Sequence, residues 1–185
     1  MHVGGVDDGA KPRNTGCMIL RPAEPGDAFR VARVHVRSWQ AAYRGLIADE
    51  YLNRLRAEDR AARYDFSHTD PLKPHTTVAI EGDEVCGFVT VGPARDAAMK
   101  DFGKLLALYV DPDRWRQGVG GALVRAGRER LLEVGYRNAY LWLLSGNLRA
   151  GRFYVRDRWI RDGTQRMEVV WGVLLEEERF RRKLA

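Results

Sequence analysis

Cysteine is scarce in this chain. The two that occur, Cys17 and Cys86, fit no metal-ligand spacing and build no disulfide framework, which suits a reducing cytoplasm and leaves no metal expected. Long apolar runs are also missing. No segment approaches the ~20 residues that cross a bilayer, so neither a transmembrane helix nor a membrane partner is expected. The opening MHVGGVDDGAKPRNTG lacks the apolar centre of a signal peptide, and residues 1–17 read as a flexible tail ahead of a single domain, 18–185. Internal repeats and low-complexity tracts are absent, which excludes solenoids and biased linkers. What is plentiful is charge. The 185 residues are 30% charged with a net charge of +6 and a pI near 9.6. That surplus attracts an anion, whether nucleic acid, an acidic surface or a phosphorylated cofactor. Most of the basic residues are arginines spread along the chain, as a solvated surface also requires.

The hydrophobic pattern is that of a mixed α/β domain. MILRP, from Met18, predicts a short strand stopped by Pro22. Asp27 is placed to cap a helix whose apolar stripe is Ala28, Val31, Ala32, His35, Trp39, Ala42 and Tyr43. A second helical region covers Asp49 to Tyr64, and SHTDPLKPH is a loop. TTVAIEGDEVCGFVTVG carries a hairpin signature around Gly-Asp. ARDAAMKDFG is a further loop, and KLLALYV a buried strand ending at Pro112. Val119, Ala122, Leu123, Ala126, Leu131 and Val134 form a helical stripe up to Gly135. NAYLWLLSG is a strand and NLRAGRFYVRD a short helix, while WIRDGTQRMEVVWGV reads as strand, turn and strand. By propensity alone LLEEERFRRKLA favours helix.

Three glycines, Gly118, Gly120 and Gly121, lie where the strand KLLALYV gives way to a helix. Interior glycine costs a helix roughly 1 kcal/mol against alanine, so the cluster needs a reason. A strand-to-helix junction offers free amides and a positive helix end, which together make an anion site. The P-loop is excluded because no Lys-Ser or Lys-Thr follows, and G-x-G-x-x-G is excluded because Leu123 stands at its last glycine.

LYVDPDRWRQGVGGALV resembles the pyrophosphate loop of the GNAT superfamily of N-acetyltransferases, Q/R-x-x-G-x-G/A. One position departs, with Trp115 at the first place of the motif, followed by Arg116 and Gln117. LWLLSGNLRAGRFYVRDRWIRDG is similar to the later block of the family, in which a strand ends at an Asn (here Asn147) and a helix carries R-x-F-Y (Arg152, Phe153, Tyr154), with Trp159 following. MILRPAEPGDA with VARVHVRSWQAAYRGLI resembles the start of one branch. ERFRRKL resembles the closing strand of the family, so strand is expected there against propensity.

The resemblance implies the GNAT fold, a mixed sheet of about six to seven strands flanked by about four helices, with two splayed parallel strands forming the cofactor cleft. It implies an acetyl-CoA-dependent N-acetyltransferase working by direct attack of an amine on the thioester. Acetyl-CoA would lie along Leu108, Tyr109 and Val110, with its diphosphate on the amides of Arg116, Gln117, Gly118, Val119, Gly120 and Gly121 and with Asn147 at the pantetheine arm. Tyr154 would protonate the leaving thiolate. His35, Trp39 and Tyr43 would border the acceptor pocket, and core packing explains them equally well. For a general base, KLLALYV offers no carboxylate, which leaves Asp101, His35 or a water chain. Among Arg149, Arg152, Arg156, Arg158 and Arg161 some could reach phosphates. Two contrasting classes are a non-catalytic acyl-CoA sensor on the same fold and a basic nucleic-acid module, and no recognition motif supports the second. The partners implied are acetyl-CoA and an amine acceptor, with no specific nucleic acid, and a homodimer is left open.

Overall fold

The computed structural model describes residues 18–68, 70, 73–94 and 96–185. The tail 1–17 with Cys17, and part of SHTDPLKPH, lie outside the described residues. Strand β1 (Ile19–Pro22) leads through a 3-10 turn into helix α1 (Ala28–Ala42). Asp27 does not cap α1 with its side chain. Its carboxylate accepts the Glu24 N–H at 2.9 Å and pairs with Arg21 at 2.6 Å. That pairing closes the turn before the helix and holds the Asp27 carboxyl below the ordinary carboxylate range. The second helical region is broken into α2 (Asp49–Arg54) and α3 (Ala57–Ala61), with Leu55 and Arg56 extended between them.

Strands β2 (His75–Glu81) and β3 (Glu84–Pro93) form the expected hairpin, with Gly82 at φ 59° in its turn. After β4 (Gly103–Val110) come α4 (Val119–Glu133), β5 (Asn138–Leu144) and α5 (Leu148–Arg156). Helix α4 stops where Gly135, at φ 105°, lets Tyr136 N–H reach back to Leu131 O at 3.0 Å and Gly135 N–H to Leu132 O at 2.9 Å. The stretch WIRDGTQRMEVVWGV is one long strand, β6 (Ile160–Val170), and its turn, rather than strand, turn and strand. Asp162-Gly163 makes an irregularity inside β6, and the reversal falls at Trp171-Gly172. The last segment is strand β7 (Val173–Lys183). Cross-strand burial of Phe180 and Leu175 outweighs helix propensity there.

The seven strands lie in the order β1-β2-β3-β4-β5-β7-β6. Every neighbouring pair is antiparallel except β4 and β5. One face packs on α4 and α5 through Val89, Leu123, Leu131, Leu141, Tyr154 and Phe180. The other packs on α1 and α2 through two clusters, Val31, Val34, Val78 and Phe88, then Trp39, Tyr43, Leu52 and Leu175.

Candidate active site

The parallel pair is the feature from which the site is built. β4 and β5 share only two ladder positions, Gly103 with Ala139 and Lys104 with Tyr140, and beyond them no ladder pair joins Leu105–Val110 to β5. β4 is also bulged. Thr90 faces Ala107 and Val91 faces Leu105, so Leu106 is an extra residue that bends the strand. The result is a cleft in mid-sheet with an unpaired strand edge on its β4 side.

The glycine loop closes the wide end of this cleft. Arg116 and Gly118 both adopt left-handed backbone, at φ 64° and 86°. Only Gly118 does so without a side chain to strain. Ala122 N–H is the amide that reaches Gly118 O, at 3.1 Å, so the amides of Val119, Gly120 and Gly121 are the orphan donors of the first turn of α4. Gly120 and Gly121 need no special backbone. A Cβ on Gly121 would meet nothing within 4 Å, and one on Gly120 would touch the Phe153 ring at an ordinary 3.5 Å. The protein has room for a side chain at both places and leaves that room open above the amides. The Gln117 side chain is turned away and donates to Asp113 O at 2.9 Å.

Trp115 is committed to the fold. Its indole N–H donates to Val110 O at 2.8 Å, and Ser38 donates to the same carbonyl at 2.7 Å. Val110 therefore offers no free carbonyl to the cleft, and the unpaired backbone lies at Leu108 and Tyr109. Over the Trp115 ring sits Arg149 of α5, its guanidinium carbon 3.3 Å from the ring centre. This contact brings a cation from the β5 side to the loop that follows β4. Of the other arginines, Arg161 pairs with Glu178, while Arg152, Arg156 and Arg158 are exposed.

Asn147 follows the Ser145-Gly146 turn after β5 and opens α5. Its carboxamide oxygen accepts Ala150 N–H at 3.2 Å, so it is an N-cap, buried at the cleft. Tyr154 is 6% exposed and wedged among Phe153, Trp159 and Phe180. Burial pushes its phenol well above the ordinary tyrosine range, with the nearby Tyr109 hydroxyl adding to the effect. It stays protonated at neutral pH and able to donate.

On the opposite face the structure brings His35, Trp39 and Tyr43 together around Tyr109. Trp39 Nε1–H donates to the Tyr109 hydroxyl at 3.0 Å, and the Tyr43 hydroxyl lies 3.5 Å from it. The His35 ring is 4.1 Å from that of Tyr109, and its Nδ1 is 2.5 Å from the Tyr64 hydroxyl. All three predicted residues are buried, and they form an inner wall. The partly exposed members of the cluster are Tyr109, Tyr64, Trp171 and Arg60, of which only the Tyr109 backbone was expected from the sequence. Trp171 stacks on Trp39 at 4.1 Å and 16°, and Tyr51 donates to its carbonyl at 2.5 Å. A sequence signal existed for Trp171. The signal is its place before Gly172 between two apolar runs, and the structure holds it at φ 54°, an unusual value for a bulky residue. Burial, together with the Arg60 charge, drives the His35 imidazole well below its usual range and keeps it neutral. Asp101 is exposed in the turn before β4, and the six residue steps of strand from Gly103 to Tyr109 span about 20 Å. It is far from this cluster.

The profile of the Acetyltransferase (GNAT) family matches residues 36–158, which carry both sides of the cleft. The chain belongs to the GNAT family of acetyltransferases. This acetyltransferase is 33% identical to YuaI, an N-acetyltransferase of Bacillus subtilis, over 130 residues, covering 70% of the chain and 73% of YuaI. Its fold is that of the PaiA N-acetyltransferase of Thermoplasma acidophilum, solved with coenzyme A (TM-score 0.65, 17% identity, 90% and 99% of the two chains). It is equally that of yncA from Salmonella typhimurium, solved with acetyl-CoA (TM-score 0.64, 19% identity, 91% and 94%). The protein is thus an acyltransferase with the mixed, splayed sheet expected from its sequence. No helix among the described residues is long and apolar enough to cross a membrane.

Proposed function

We propose that this enzyme moves the acetyl group of acetyl-CoA to a primary amine by direct attack within a ternary complex. The observation that carries the reading is the unpaired β4 edge running into open amides at Gly118–Gly121. A pantetheine arm presents amides that can hydrogen-bond to Leu108 and Tyr109 as another strand would. The diphosphate has the amides of Arg116 to Gly121 and the start of α4 to receive it, where negative charge is favoured. Arg149 supplies from α5 the cation that Trp115 does not supply at the first place of the motif.

The thioester provides the acetyl group, and the chain supplies the rest. A main-chain N–H of the β4 edge stabilises the charge growing on the carbonyl oxygen. The Tyr154 hydroxyl, kept protonated by burial, donates a hydrogen bond to the departing sulfur and hands over its proton as it takes up, through water, the proton released by the acceptor ammonium. His35 is sealed behind Tyr109 and Trp171, so the ammonium proton of the acceptor leaves through water. Titrating acetyl-CoA against melting temperature and then reading free thiol over a panel of amines tests this. Stabilisation with thiol release for some amines is expected. Saturable binding with no thiol release for any amine would make the protein a sensor instead.

A further inference from the structure

The aromatic cluster on the acceptor side of the cleft holds a guanidinium, that of Arg60, that no described carboxylate answers. Arg60, on α3, lays its guanidinium over Trp171, 4.3 Å from the ring centre, and beside Tyr64 at 5.1 Å. Its Nε is buried and has no hydrogen-bond partner. No described carboxylate lies within ion-pairing distance of it. Other arginines of the fold are paired. Arg44 pairs with Asp49, Arg166 with Glu177 at 2.7 Å, and Arg179 with Asp162 at 2.8 Å. Glu177, the carboxylate whose charge is felt at Tyr43 and Tyr109, pairs with Arg166 and not with Arg60.

A half-buried guanidinium is costly to desolvate unless paired, and a stacked one keeps its planar edge free for two parallel hydrogen bonds to a carboxylate. The same charge disfavours a bare cation in this cluster, so a polyamine-like acceptor is a poor match. An amine that brings its own carboxylate answers Arg60.

We propose that the acceptor is a small amine bearing a carboxylate, of the α-amino-acid type, and that Arg60, seated on Trp171, binds the acid group. The proposal rests on reading this cleft as the acceptor site of the acetyltransferase. Arg60 holds the acceptor from the α3 side while the amine faces the cleft between β4 and β5. In this arrangement Arg60 determines specificity by acid recognition and takes no part in proton transfer.

Binding is measured first, because it does not depend on turnover. N-acetyl amino acids with small, aliphatic and aromatic side chains, each beside its carboxamide counterpart, are titrated into the CoA-saturated protein by calorimetry. At least one acid is expected to bind tenfold or more tighter than its amide. Arg60→Gln should erase that ratio and Arg60→Lys should restore part of it, with circular dichroism and the acetyl-CoA thermal shift unchanged in both. In turnover, Arg60→Gln should raise KM for the best amino acid at least tenfold, hold kcat within about threefold, and leave the matching amino acid amide unaffected. Equal binding of acids and amides, or no binding of any acid, overturns the proposal even where acetyl transfer to other amines is intact. Acid-selective binding without thiol release for any amine would overturn the acetyl-transfer reading while leaving acid recognition by Arg60 standing.

Discussion

A glutamate in place of Gly120 should move apparent stability and ligand response in opposite directions. Gly120 has a helical backbone, and a Cβ there meets only Phe153 and Val110 at 3.5–3.7 Å, so the fold accepts the substitution. Replacing glycine in a helix returns about 0.5–1 kcal/mol, and a carboxylate in the first turn adds about 0.3–1 kcal/mol through the helix dipole. For a domain of this size that sum raises the melting temperature of the free protein by about 2–8 °C. The ligand effect has the other sign. Acetyl-CoA at a hundred times its Kd stabilises the native protein by about 2.7 kcal/mol, or about 5–11 °C. With the introduced carboxylate occupying the amides, a hundredfold weaker affinity would leave only about 0.4 kcal/mol of that at the same concentration. Scanning fluorimetry with and without acetyl-CoA reads both quantities in one experiment. Gly121→Ala, which adds only a methyl group in open space, separates helix propensity from charge. A folded Gly120→Glu protein with an undiminished acetyl-CoA shift would refute the assignment of the diphosphate to these amides.

Tyr154→Phe keeps the ring among Phe153, Trp159 and Phe180, so acetyl-CoA affinity should persist while kcat falls roughly 10²–10⁴-fold. Full turnover in the folded variant would remove Tyr154 from the proton path. Trp39→Ala should cost about 3–5 kcal/mol in urea unfolding, because the indole is 2% exposed and stacked on Trp171. Trp39→Phe, which keeps most of the packing but loses the bond to Tyr109, should raise acceptor KM more than acetyl-CoA Kd. Equal changes in both would make the residue purely structural. The folded-state pKa of His35 is depressed, so below its unfolded value near 6.5 the unfolded chain takes up a proton that the folded protein refuses. Stability should then fall as pH drops from about 6.5 toward 5, by up to about 1.4 kcal/mol per pH unit, and His35→Gln should flatten that part of the curve. Identical slopes for the two proteins would show that His35 does not titrate as its burial requires.

The residues proposed for the cofactor are the more legible in sequence, because they are local. The glycines fall within four residues, Asn147 and Tyr154 share one turn-and-helix segment, and both lie beside strands whose apolar pattern is unbroken. The acceptor half was less legible, since Arg60, Tyr64, Tyr109 and Trp171 meet only after β4 and the β6–β7 turn have been laid against α1. Asp27 misled because a capping residue type can satisfy a turn before the helix as readily as the helix itself. The split between α2 and α3 was hidden because Leu55 and Arg56 are good helix formers, and they are held extended by tertiary placement. Propensity failed for β7 for the opposite reason. Its Glu and Arg residues pair across strands, as Arg179 does with Asp162, and composition records no such partner.

The two-rung seam between Gly103–Lys104 and Ala139–Tyr140 bears on how the molecule comes apart. Strands β1 to β4 form one continuous ladder and β5, β7 and β6 another, so the two halves of the sheet are joined by that seam and by the core they share beneath α4 and α5. Gly103 keeps the seam tight, since a Cβ there would stand 2.6 Å from Leu131 and push α4 off it. In the free protein, amide exchange in β5 and β7 can proceed by opening this seam alone, at a lower free energy than global unfolding. A pantetheine arm placed in the gap as proposed above would replace the missing rungs and tie the two halves together. Its binding is then expected to slow exchange in β7 as well, a strand that supplies no residue to the proposed cofactor site.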